Sequence, residues 1–556
     1  MTEPVKALID AARGHAPADI VFRNATIFNP FTCTWDTGNL AIKDGMVLGT
    51  GDYHGRVEQD AAGKFFIPGL IDSHVHIESS LLTPREYARL VAQHGTATVI
   101  ADPHEIANVA GADGIGFMLA ERAGLPVDIR YMLPSCVPAT PADVGGAKLP
   151  ARDLAAFLHS EGILGLGEMM NFPGVLAGDA EVLAKIRLAA IRDGHAPFLG
   201  GKDLNAYVLA GLQSDHECTK REEAEEKLKK GMYIYIREGS TERNIAELAP
   251  LITPATVSRC CFATDDCHAD LLMNDGHIDR CIRRAVACGV PLELALRMAT
   301  LSAAERFGLA DRGALSPGRR ADFFITENRE TLAVERVFVG GREFHAHSHV
   351  TPTPRTLSAP FRCTPPAPGD IAIPGTGEVR VISLIPHQIV TEQVLSRWDG
   401  ASKPGDDILK VVVCNRYGNG RRGVGLVHGF GFTRGAIASS IAHDAHNLVA
   451  CGTSDRDILI AIAEVIRRKG GMAAACDDEV VSIPLDCGGL MSSLPYEEVV
   501  QRLASLQAVT KKMGGIEDPF MYLSFLSLTV IPALRITDRG VFDGIAFQDV
   551  PLFTGS

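Results

Sequence analysis

Hydrophobic positions change their spacing several times along the chain. Across residues 18–67, short β-type runs at 20–22, 26–28, 40–42 and 46–48 are separated by Asn-Pro, Asp-Gly and glycine-rich turns, which predicts a small β-domain. From Phe65 onward, apolar runs of four to eight residues end in polar clusters, and each is followed by a helical pattern. Eight such runs end near His74 and His76, Asp102 and His104, Ser135 and Cys136, Glu168, His195, Asp215 and His216, Arg237 and Glu238, and Asp265 and Asp266. Helices are predicted between them, for example over 84–93, 153–160, 220–230 and 278–287.

Eight strand-then-helix units predict an α/β fold, a (β/α)8 barrel over 68–310, in which catalysis belongs at the C-terminal ends of the strands. Strand-like patterning returns at 321–325 and 337–340, so 311–350 is expected to join 1–67 in a small β-sandwich domain built from both flanks. Six prolines within 351–370 predict an extended linker. Beyond it, a strand run at 409–413 and a helix at 457–469 predict a separate C-terminal α/β domain over 371–556.

Composition narrows the function classes. With 46% hydrophobic and 22% charged residues the chain is expected to fold with large cores. Lysine plus arginine (54) against aspartate plus glutamate (67) leaves a net charge of -13, which opposes binding to a phosphate backbone, so no nucleic-acid partner is expected. The 13 cysteines are odd in number and form no CxxC pair, the usage of reduced thiols in a cytoplasmic protein. Residues 1–19 lack a signal-peptide pattern. The longest apolar run, 520–534, is too short and too interrupted to span a bilayer, so it is expected to be a buried core segment and no membrane partner is expected.

The candidate chemistry lies at the strand ends. Of three His-x-His pairs, those formed by His345, His347 and His349 read as a solvated strand end before the linker. His74 and His76 close an apolar run, and alternation along a strand points both imidazoles the same way, towards one ion in the barrel mouth. Glu168, His195, His216 and Asp265 also fit a metal site by type and position. Each alone reads more readily as structural; together, imidazoles and carboxylates suit zinc, iron or manganese, and a carboxylate such as Glu168 can bridge two ions.

The string Pro68-Gly-Leu-Ile-Asp-Ser-His-Val-His76, with Glu168, His195, His216 and Asp265, resembles the amidohydrolase superfamily. Within it, Asp72-Ser-His-Val-His-Ile-Glu-Ser-Ser80, Ala101-Asp-Pro-His-Glu-Ile-Ala-Asn108, Gly167-Glu-Met-Met-Asn171, Gly194-His-Ala-Pro197 and Ser214-Asp-His-Glu217 closely resemble the bacterial adenine deaminases. The likeness continues at Arg434-Gly-Ala-Ile-Ala-Ser-Ser440 and His443-Asp-Ala-His-Asn447. The resemblance implies hydrolysis of adenine to hypoxanthine and ammonia by a homo-oligomeric enzyme holding two divalent ions, manganese or iron, with zinc as an alternative. It implies that His74, His76 and Asp265 bind the first ion, Glu168 bridges, and His195 and His216 bind the second.

Asp265 is then expected to act as the base, with Asp266 the alternative; Asp265 is preferred because it follows the apolar run 260–264. A group near Asp102, His104 or Glu105 is expected to supply or orient the proton at N1. Asp102 and Glu105 are expected to accept the imidazole N–H of the base, unless Asp102 makes only a turn and Glu105 only caps the next helix. The cluster His428, His443, Asp444, His446 and Asn447 could cap the active site or bind its own ion, but it reads more readily as a polar hydrogen-bonded loop and is assigned no chemistry.

Overall fold

The computed structural model describes residues 2–346 and 356–555; His347, His349 and the start of the proline-rich segment lie outside them. The eight apolar runs become eight strands, Leu70–Val75, Thr96–Ala101, Asp128–Leu133, Ile163–Met169, Arg192–Gly194, Ser214–Asp215, Tyr233–Arg237 and Cys260–Ala263. They pair in parallel as a sheet of five and a sheet of three, in chain order. The amide of Gln213 donates to the Arg192 carbonyl at 3.2 Å, which joins the two sheets at one seam. At the other seam the Asp265 amide donates to the His74 carbonyl at 3.0 Å, and the His76 amide to the Asp265 carbonyl at 3.3 Å. The result is a TIM-barrel-like ring with its strand ends gathered at one mouth.

The first two strands are buried along their whole length, the polar Asp72, Ser73 and His74 of the first included. Helices follow where the sequence supplies both a start and an apolar face. Pro84 opens the helix Pro84–Ala92, which buries Tyr87, Ala88, Leu90 and Val91. The predicted helix at 153–160 is instead a short turn of helix, Ala151–Leu154, followed by a 3-10 turn, Ala155–Phe157. Only Ala151 and Leu154 are buried there, too few apolar anchors to propagate a helix whose nucleation is costly.

Both flanks of the barrel meet in one eight-stranded sheet. Phe323–Thr326 pairs antiparallel with Phe65–Pro68, which in turn lies beside Ala18–Asn29. The rings of Phe22, Phe66, Phe323 and Phe338 pack at its centre, with centroids 4.6 to 5.7 Å apart.

The C-terminal part is built on a second eight-stranded sheet, antiparallel except where Gly377–Leu384 lies parallel to Arg422–His428. On it packs the helix Asp455–Arg468. Ser454 caps that helix by accepting from the Asp457 amide, and Ile458, Ala461, Ile462 and Val465 form its buried stripe. One continuous apolar core joins this part to the barrel mouth, running from Ile77, Leu81 and Leu82 to Val411, Phe430, Leu490 and Leu503. All 13 cysteines are free, and burial pushes the thiols of Cys260, Cys261 and Cys267 up to about 12, so they pack as small hydrophobes. Among the described residues no helix is long and apolar enough to cross a membrane.

The run 520–534 is buried, as its pattern predicts, and an arginine holds it in place. Arg535 is 0% exposed and donates to the carbonyls of Ile531, Phe525, Ile389 and Pro532 at 2.8 to 3.0 Å. Arg535→Met leaves the three buried carbonyls of Ile531, Phe525 and Ile389 without that donor and is expected to lower unfolding stability by about 3 kcal/mol or more. A urea midpoint unchanged from wild type would contradict this.

Candidate metal centre and active-site cavity

His74, His76, Glu168, His195, His216 and Asp265 converge at the mouth of the barrel, each no more than 4% exposed. Glu168, at the end of the fourth strand, stands at the centre. Its Oε1 lies 3.6 Å from His74 Nε2 and 3.2 Å from His76 Nε2, while its Oε2 lies 2.7 Å from His195 Nδ1 and 3.3 Å from His216 Nε2. Asp265 Oδ1 completes the first side, 3.5 Å from His74 Nε2 and 3.1 Å from His76 Nε2.

These separations fit metal binding. Bonds of about 2.1 Å in a tetrahedral site place ligand atoms about 3.4 Å apart. Both oxygens of Glu168 and both ring nitrogens of His195 are buried without hydrogen-bond partners. Charge gives the same answer. Burial alone would push the imidazoles of His74 and His76 down, yet Asp265 and Glu168 hold His74 up at about 10 and His76 well above its usual range. Burial would likewise raise Glu168, but the imidazoles of His216, His195 and His74 around it keep it well below the usual carboxylate range. The cluster is thus a set of imidazole and carboxylate donors whose charge would suit divalent ions.

The supporting residues explain how the ligands are aimed. His76 Nδ1 donates to the Asp102 carbonyl at 3.0 Å, leaving Nε2 to face the centre. Asp102 Oδ2 accepts the Glu168 amide at 3.0 Å, and a side chain at Gly167 would overlap that carboxylate. Arg237 donates to Asp265 Oδ2 at 2.7 Å and to Glu217, so Asp265 is held well below its usual range even though burial opposes it. Asp265 has φ 56°, a left-handed conformation that its two backbone bonds to the first strand enforce.

Above the ligands lies a cavity with about 270 Å³ of empty space, part of it open to solvent. Five of the six ligand-type residues line it, all but His74, together with His104, Glu217, Arg237 and Asp266. Met170, Ile389, Phe525 and Leu528 form an apolar wall, and His443 and Asp444 complete the enclosure. A larger surface groove beside Arg243, Gln507 and Glu517 shares no lining residue with it.

The sequence candidates at the end of the second strand divide. His104 lines the cavity, with Nδ1 3.5 Å from Glu168 Oε1. Asp102 and Glu105 do not line it. Asp102 is turned to the Glu168 backbone, and Glu105 Oε1 accepts from Ser79 Oγ at 2.8 Å, Ser79 also touching Asp266. Burial and neighbouring Glu78 hold the Glu105 carboxyl well above its usual range.

The loop at 443–447, assigned no chemistry from the sequence, reaches the cavity: His104 Nε2 lies 3.6 Å from Asp444 Oδ1. Sequence reasoning also missed Glu217, Arg237 and the apolar wall. Arg237 was visible as a polar strand end; nothing in the sequence singled out Ile389, Phe525 or Leu528.

His216→Ala is expected to lower divalent-metal content and catalysis together, and Gly167→Ala is expected to do the same by displacing Asp102 from the Glu168 amide. Elemental analysis showing full metal content in both variants would remove these residues from the centre.

The chain resembles known proteins along nearly its whole length. The amidohydrolase family profile matches residues 65–344, and that of the adenine deaminase C-terminal domain matches 387–548. The chain is 62% identical over 549 residues to an adenine deaminase of Methanoregula boonei, covering 98% of each chain. It is 57% identical over 517 residues to an adenine deaminase of Methanoculleus marisnigri, covering 93% of this chain and 99% of that one. A protein of Carboxydothermus hydrogenoformans named adenine deaminase 2 is 43% identical, covering 99% of this chain and all of its own. The chain belongs to the adenine deaminases of the amidohydrolase superfamily.

Proposed function

We propose that this chain is a metal-dependent aminohydrolase that converts adenine and water to hypoxanthine and ammonia. The observation that carries the hydrolytic chemistry is Glu168, whose two oxygens face separate sets of ligand-type side chains. Adenine as the substrate is supported by the names of relatives aligned along nearly the whole chain.

His74, His76 and Asp265 would hold one divalent ion, His195 and His216 a second, and Glu168 both; manganese or iron suits this donor set, and zinc also fits. When bound, such ions lower the pKa of water from about 16 towards about 7 and so provide a nucleophile for C6 at neutral pH.

The protein's own groups do the rest. The flat base packs against Phe525, Leu528, Ile389 and Met170, which exclude bulk water. Asp265 takes the proton of the attacking water and passes it to the exocyclic nitrogen, which leaves as ammonia. His104, facing the cavity, holds the proton at N1 as attack breaks the ring's aromaticity. Glu105 acts one hydroxyl behind the cavity, positioning Asp266 through Ser79. Asp102 positions Glu168 from below.

The division into a flank-built β-domain (1–67 with 311–350), a barrel (68–310), a linker (351–370) and a C-terminal domain (371–556) is part of the same proposal. It is supported by the sheet shared between the flanks.

The test is ammonia release from adenine by protein loaded with manganese or iron. Asp265→Asn is expected to keep the fold by circular dichroism and to lower kcat by about 100- to 10,000-fold. Near wild-type turnover in Asp265→Asn, with loss in Asp266→Asn, would transfer the base to Asp266.

A further inference from the structure

The acceptor for the imidazole N–H of the base remains to be found, since neither Asp102 nor Glu105 lines the cavity. We propose that Asp444, carried by the C-terminal domain, accepts that N–H and so makes the enzyme select free purine bases over purines substituted at N9. This rests on the deaminase reading above and names the residue that sets its substrate class.

The carboxylate of Asp444 is buried, 2% exposed, on the wall of the cavity. Neither of its oxygens has a hydrogen-bond partner. The nearest donors are His104 Nε2 at 3.6 Å and His443 Nδ1 at 3.8 Å, both beyond hydrogen-bonding range. His104 and His443 face these oxygens at ion-pair distance without hydrogen-bonding them, so a ligand that brings an N–H to them adds a hydrogen bond that the protein alone does not make.

Adenine offers two kinds of donor, the exocyclic amine and the imidazole N–H. The amine sits on the carbon under attack and belongs beside Glu168 and Asp265. Asp444 stands one imidazole ring farther out, because His104 has Nδ1 3.5 Å from Glu168 and Nε2 3.6 Å from Asp444. The far side of the base, where the imidazole N–H lies, is the part that reaches it. A ribose or methyl group at N9 removes that hydrogen and leaves the acceptor unpaired.

The experiment compares adenine with 9-methyladenine on metal-loaded wild type, Asp444→Ala and Asp444→Leu. Wild type is expected to favour adenine in kcat/KM by about ten- to a hundredfold. Both variants should lose that preference mainly through adenine. Leucine keeps bulk in the cavity, so a preference that persists in Asp444→Leu but not in Asp444→Ala would mean steric exclusion and would overturn the proposal. Equal losses on both substrates, or equal use of both by wild type, would overturn it too. Binding of hypoxanthine against 9-methylhypoxanthine, by calorimetry on the same holoproteins, decides without turnover: a wild-type preference for hypoxanthine that Asp444→Leu abolishes supports the assignment, and no preference rejects it. Absence of adenine turnover in wild type would sink the deaminase reading, while the binding comparison still judges Asp444.

Discussion

One buried carboxylate with two differently occupied faces organises the chemistry of this protein. Glu168 is surrounded by imidazoles that outweigh the desolvation of its charge, and each of its oxygens belongs to a different group of them. That arrangement depends on the backbone as much as on the side chains. The amide of Glu168 is fixed by Asp102, and the absence of a side chain at Gly167 lets Asp102 approach. Asp102, in turn, fixes His76 through its own carbonyl. A strand-two residue that never faces the cavity therefore aims ligands from two other strands.

The roof of the site comes from a distant part of the sequence. Ile389, Phe525 and Leu528 reach the cavity because Arg535 gathers the carbonyls of Ile389 and Phe525 around one guanidinium, and because a shared apolar core seats the C-terminal sheet on the barrel mouth. The floor thus brings together the ligand-type side chains, and the roof adds an apolar surface and one carboxylate without a hydrogen-bond partner. Neither half encloses a substrate without the other.

Much of the barrel was legible because burial on both faces writes a strand as an unbroken apolar run, and the run stops where the mouth begins. Glu168 and Asp265 were found that way, as polar residues terminating such runs. Side-chain direction was not legible. Asp102 and Glu105 have the right chemistry at the right strand end, yet the loop geometry turns one under Glu168 and the other towards Ser79. Nor does an apolar run such as 520–534 disclose that Phe525 faces a cavity while Leu523 is 0% exposed in the core, since both are simply apolar. Asp444 was visible only as one polar residue among several, because its meaning depends on a contact with His104, 340 positions away in sequence.

The seam between the first and last strands has an energetic corollary. The two backbone bonds that close the ring there belong to Asp265, whose side chain faces His74 and His76 across the same gap. A divalent ion held between Asp265 and the His74–His76 pair would therefore be linked to ring closure, its binding adding to the free energy that keeps the seam shut. Chelation would weaken the ring first at this junction, and amide exchange at Asp265 and His76 would report the loosening before the flanking sheet or the C-terminal sheet responded.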